Sequence, residues 1–108
     1  MAYRLRMISS VKYGQFGQYM ATVKRLVQIN DARGWAPMRV LTPTVGVSNE
    51  IVLETEYPDL ATLQRENDEF YADREAFEAF RAGAEFIVEG TARSELLEDM
   101  PLDFPGSD

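Results

Sequence analysis

Residues 2–11, AYRLRMISSV, alternate along most of their length, with Tyr3, Leu5 and Met7 on one side and Arg4, Arg6 and Ile8 on the other. A period of two with one apolar face predicts a β-strand packed on one side. After Gly14 and Gly17 the period lengthens. From about residue 15 to 33, Phe16, Tyr19, Met20, Val23, Leu26, Val27 and Asn30 fall on one helical face, and Lys24, Arg25, Gln28 and Asp31 fall elsewhere. Gly34 is placed to cap this helix in the left-handed region, with Trp35 folding back on the last turn. Two further strand-like runs, Met38–Val45 and Glu50–Tyr57, are joined by a hairpin around GVSN, and Pro43 marks the first as an edge or bulged strand. In the second run Ile51, Leu53, Thr55 and Tyr57 share a face opposite Val52, Glu54 and Glu56. Pro58-Asp59 then opens a long helical stretch with Leu60, Leu63, Phe70, Phe77, Phe80 and Ala84 as its apolar stripe, read as core, and with a bend or restart at Asp73. A last strand is expected within Glu89–Glu98.

The order βαββαβ predicts an α+β, ferredoxin-like fold: a four-stranded antiparallel sheet with two helices on one face. Residues 1–98 form the expected single domain, and the acidic, proline-containing residues 99–108 form a tail. If Tyr3, Leu5, Met7, Ile51 and Leu53 meet the helices, the other sheet face carries Arg4, Arg6, Ile8, Val52, Glu54 and Glu56. Arginines and glutamates on two central neighbouring strands are then set to pair across the sheet. A face mixing aliphatic side chains with compensated charges is expected to be covered by a second copy related by twofold symmetry, giving a homodimeric α/β barrel.

Charge sharpens this picture. Residues 1–45 hold seven Arg or Lys and the single acid Asp31, for +6, whereas residues 46–108 sum to −13, giving the net charge of −7. The first helix is therefore rather basic and the second stretch strongly acidic, which favours their side-by-side packing. The net negative charge and the lack of a contiguous basic run argue against nucleic-acid binding. No apolar run approaches the roughly 20 residues of a membrane helix, and a cytoplasmic protein with no membrane partner is expected.

Chemistry is limited by what is missing. The chain contains no histidine and no cysteine. This removes the usual general base near neutral pH, thiol chemistry, haem-ligating imidazole and the ordinary zinc ligands, so neither a metal nor a cofactor is expected. Gly14–Gly17 lacks the Lys-Ser/Thr of a phosphate loop.

The helix exit QINDARGWAPMRV and the stretch IVLETEYPDLATLQRENDEFYADREAFEAFRAG resemble the dimeric α/β-barrel superfamily, and within it the NIPSNAP-like group of small, mostly uncharacterised bacterial proteins. The resemblance spans about residues 3–98. It implies a small dimeric barrel that binds a small organic molecule in the barrel or between sheet and helices. The superfamily also includes cofactor-independent monooxygenases and polyketide cyclases, whose sites use Asn, Trp, Tyr and Arg around an aromatic substrate. On that alternative Asn67 and Trp35 would orient substrate, Tyr71 would transfer a proton and Arg39 would stabilise an anion. A second constellation, Arg4, Arg6, Arg39 and Glu54, with Tyr57 beside it, would bind a ligand. A purely structural dimer is the remaining alternative, with Asn67 bonded to backbone, Trp35 packing the helix end, and the arginines paired to Glu54 and Glu56. Whether the chain is an enzyme is left open by its sequence.

Overall fold

The computed structural model describes residues 2–103 and has the expected element order. Strand β1 (Tyr3–Ser10) leads to α1 (Phe16–Ala32), then to β2 (Met38–Leu41) and β3 (Glu50–Tyr57). Helices α2 (Leu60–Ala72) and α3 (Arg74–Ala82), a 3₁₀ turn at Ala84–Phe86 and β4 (Arg93–Glu98) complete the domain. All strand pairs are antiparallel, in the order β2-β3-β1-β4. The last five residues of the expected tail, 104–108, lie outside the described residues. Its beginning is tied back to the sheet: the Asp99 N–H donates to the Ala2 carbonyl at 3.0 Å, and Arg4 pairs with the Asp99 carboxylate.

Several boundaries have visible causes. The end of α1 closes as anticipated, with Gly34 at φ +72°. Its N–H donates to the Asp31 carbonyl, and that of Trp35 to the Asn30 carbonyl, so the freed carbonyls of the last turn are satisfied. Strand β2 is shorter than the sequence pattern, stopping at Leu41 just before Pro43, which has no N–H to continue a ladder. Strand β4 starts late because Gly90, at φ +82°, turns the chain first. Asp73 does restart the helix. Its extended backbone ends α2, and its carboxylate accepts the Ala76 N–H at 3.0 Å to cap α3. Arg33 at the end of α1 bonds the same Asp73 at 2.6 Å and Glu75 at 3.0 Å, so the expected basic-to-acidic pairing of the helices occurs at this corner.

The core lies between the sheet and α1. Val11, Tyr19, Val23, Ile51 and Leu53 form one buried cluster, flanked by Met7 and Val40. A second cluster joins Leu26 and Ile29 of α1 to Ala76 and Ala79 of α3. Here the reading of the aromatic stripe needs correction. Of α3, Ala76 and Ala79 are buried while Phe80 is 42% exposed; Phe70 of α2 does pack against this cluster as expected. Small side chains let α3 approach α1 closely; a β-carbon added at Gly83 would come within 2.9 Å of the Thr22 hydroxyl oxygen. Close approach leaves Phe80 toward the outside, and Tyr71, Phe77 and Phe80 stack edge-on around the half-buried Phe70 with centroids 5.4–6.1 Å away.

Candidate functional site

Two adjoining cavities lie on the helix side of the sheet. The larger, about 700 Å³, runs between β1, β4 and the α1–α3 pair. Its walls are Met7, Tyr19, Val23, Leu26, Leu53 and Ala79, with Lys12, Thr22 and Glu89 at polar positions. The Tyr19 hydroxyl is pushed up in pKa by burial, so it stays protonated at neutral pH. The volume falls within the usual range for small-molecule sites. It exists because, among the described residues, no helix covers the inner face of β4: Ser94, opposite Met7 in the register, is exposed, and Leu96, opposite Leu5, remains 50% exposed.

The smaller cavity, about 120 Å³, shares Met7, Leu26 and Phe80 with the larger one, so these side chains form the partition. It contains most of the expected chemistry. Trp35, Asn67, Tyr71 and Tyr57 all line it, beside Thr55, Asn30 and Phe70. The fold thus gathers three of the four residues of the monooxygenase set, together with Tyr57 from the other set. Their states differ from a buried catalytic cluster. Asn67 and Tyr71 are exposed, with Tyr71 at 65%, because α2 presents them at the cavity mouth. The Trp35 indole N–H donates to Glu69 at 2.8 Å, which fixes the ring as a wall. Asn30, by contrast, is a buried structural amide donating to the Ala36 carbonyl at 2.9 Å.

Arg39 does not belong to this cavity. It lies on the opposite sheet face, where register aligns Arg39, Glu54, Arg6 and Glu95 across four strands. Glu54 is 2% exposed; it accepts from Arg6 Nε at 2.7 Å and also pairs with Arg39. Hydrogen bonds from Arg6 and then Arg39 hold the Glu54 carboxyl below the usual carboxylate range. Arg4, one row away, pairs with Asp99. Arg6 and Glu54 therefore compensate one another and Arg4 is compensated by Asp99, and Tyr57 is separated from them by the sheet.

One residue that sequence reasoning passed over is Glu66. Only 7% exposed, it accepts the Ala36 N–H at 2.7 Å through Oε1 and is the one charged residue among the described residues that line the smaller cavity. Burial and then the Glu66 charge raise the Tyr57 pKa, so Tyr57 is a neutral donor at pH 7. The signal was present: Glu66 sits three residues after Leu63 and four before Phe70, on the apolar stripe of α2.

No protein-family model matches the chain, and no curated protein matches it in sequence. Solved structures do match in fold. A NIPSNAP family protein from Agrobacterium tumefaciens aligns over 100% of both chains with a TM-score of 0.74 and 13% identity. An uncharacterized NIPSNAP domain protein from Burkholderia xenovorans aligns over 94% of this chain and 97% of its own, with a TM-score of 0.75 and 14% identity. The chain is NIPSNAP-like in fold. A putative antibiotic biosynthesis monooxygenase from Nitrosomonas europaea shares that fold over 92% of this chain and 90% of its own, with a TM-score of 0.71 and 11% identity. Identities this low establish architecture and leave chemistry to the site itself.

Proposed function

We propose that the protein is a cytoplasmic homodimer that binds a small, largely apolar organic molecule in the cavity between sheet and helices. The observation that carries this reading is the cavity of about 700 Å³, whose apolar walls are rimmed by a few polar groups. Dimerisation is supported by the uncovered sheet face. Leu41 and Leu97 are each 40% exposed there, on either side of the Arg39–Glu54–Arg6 ion pairs. A second copy would remove this aliphatic rim from water while keeping the ion pairs satisfied.

Native mass spectrometry followed by denaturing extraction tests both parts. A mass of twice 12.3 kDa carrying one extractable small molecule per chain is the expected result. Ser94→Phe, which inserts a ring opposite Met7, should abolish ligand retention and leave the dimer intact. Val52→Asp should weaken self-association at least about tenfold by placing an unpaired charge in the interface. A monomeric wild type would overturn the shared-barrel reading.

A second reading, cofactor-independent oxygenation or cyclisation of an aromatic polyketide-like substrate, is favoured by one observation: Trp35, Asn67, Tyr57 and Tyr71 line a single cavity. Against it stand the placement of Arg39 across the sheet and the negative charge of Glu66, both unfavourable to a phenolate. Turnover of a hydroxynaphthalene by the wild type, lost in a folded Asn67→Ala variant, would support it.

A further inference from the structure

The smaller cavity combines a nearly buried carboxylate with aromatic walls. Glu66 commits Oε1 to the Ala36 N–H, whereas the nearest cationic nitrogen to Oε2 is Arg65 at 3.7 Å, beyond hydrogen-bonding distance. Arg65 itself is 63% exposed and can stay in solvent when another cation takes its place. Around Glu66 stand Trp35, Tyr57, Phe70 and Tyr71, and among the described residues no lysine or arginine lines the cavity. Trp35 and Phe70 meet edge to face, with centroids 6.4 Å apart and planes 67° apart, and Phe70 and Tyr71 do the same at 5.4 Å. Electron-rich ring faces and a carboxylate oxygen around a small volume favour a cation. Tyr57 and Asn67 add neutral polar groups for a donor or acceptor beside it.

We propose that this cavity takes the ammonium group of an amphipathic amine, with Glu66 as its counter-ion and Trp35, Tyr57, Phe70 and Tyr71 as an aromatic box. The assignment rests on the ligand-binding reading above, and it names the ligand class. The apolar body of the amine would pass the partition of Met7, Leu26 and Phe80 into the larger cavity. Such a ligand differs from the aromatic polyketide-like substrate of the alternative monooxygenase reading. An anion would meet the Glu66 charge with no cationic side chain among the lining residues to offset it. Net charge of −7 adds a general attraction for cations, so the test must separate that from the site.

Trp35 is the one tryptophan and forms a wall of the box, so its fluorescence reports occupancy directly. Octylamine, octan-1-ol and octanoate are titrated at pH 7 into the full chain and into Glu66→Gln and Glu78→Gln. Both substitutions remove one negative charge, but Glu78 is exposed on α3 outside the cavity. The expected result is that octylamine binds about tenfold or more tightly than octan-1-ol. That preference should vanish in Glu66→Gln and persist in Glu78→Gln. Equal binding of amine and alcohol, or equal loss in both variants, overturns the ammonium assignment and leaves the cavity reading standing. Failure of all three probes to bind overturns both. The glutamine amide oxygen can still accept the Ala36 N–H; should that variant nevertheless fail to fold, Tyr71→Ala carries the same discrimination. A diminished amine preference in Tyr71→Ala supports the box, and an unchanged preference overturns it.

Discussion

The two faces of the same sheet are held by different physics. Toward the helices, Ile51, Leu53 and Val11 sit in a continuous apolar cluster with Tyr19 and Val23, and stability there follows the area removed from water. On the other face Ile8 is 6% exposed and Glu54 2% exposed without any helix above them. Their shielding comes from lateral neighbours: Val52 and Arg93 flank Ile8, and Arg39 and Arg6 flank Glu54. Apolar packing is non-directional and accommodates cavities. The charged row depends on exact pairing, because an unpaired Glu54 would face a desolvation cost that apolar neighbours cannot offset. The helix face therefore contains cavities, whereas the open face carries a row of compensated charges between exposed leucines.

The sharpest way to separate the two is to damage each in turn. Ile51→Ala removes a side chain with no exposed surface at the centre of the helix-side cluster and should cost about 2–5 kcal/mol in denaturant unfolding. A loss below about 1 kcal/mol would mean that the adjoining cavity lets the core collapse around the gap. Glu54→Gln attacks the other face and should cost less, about 1–3 kcal/mol, because the Arg6 and Arg39 side chains are 37% and 63% exposed and partly screened by solvent.

Glu54 also carries a pH signature. Its folded-state pKa lies below that of the unfolded chain, so its contribution is complete above the unfolded value and disappears as pH falls through the folded one. Thermal melts should show the wild type losing stability below about pH 4.3, with a shallower acid limb in Glu54→Gln. Identical limbs would show that the Arg6–Glu54–Arg39 row contributes no net stability. The smallest effect is expected at Gly34→Ala, about 1 kcal/mol, from forcing a β-carbon into the left-handed region at φ +72°. It should lower the melting temperature without changing either face, and a larger loss would show that Trp35 has been displaced from the second core cluster.

Local patterns were readable because their causes are local. The alternation in residues 2–11 already separated Leu5 and Met7 from Arg4 and Arg6, and cross-strand pairing of Arg6 with Glu54 followed from strand order. Gly34 and Asp73 announced a helix end and a helix restart through conformational freedom and side-chain capping. Arg39 shows where such reasoning stopped. Its residue type suited both the Asn67 set and the Arg4, Arg6 and Glu54 set, and only the register with Glu54 decides for the second. Glu66 shows the converse, since one acid among many in α2 gains meaning only when its position on the apolar stripe is followed inward.

By itself the sequence determined the element order, the two-faced character of the central strands and the exclusion of histidine and cysteine chemistry, because period, turn residues and composition act over a few neighbours. Tertiary structure decided that Ala76 and Ala79 rather than Phe80 bury against α1, that the inner face of β4 is left uncovered, and that a carboxylate shares a cavity with five aromatic side chains. Those outcomes depend on the distance between α1 and α3, a quantity set by the joint packing of Ala76, Ala79 and Gly83 against Leu26, Ile29 and Tyr19, which no periodicity within one segment encodes.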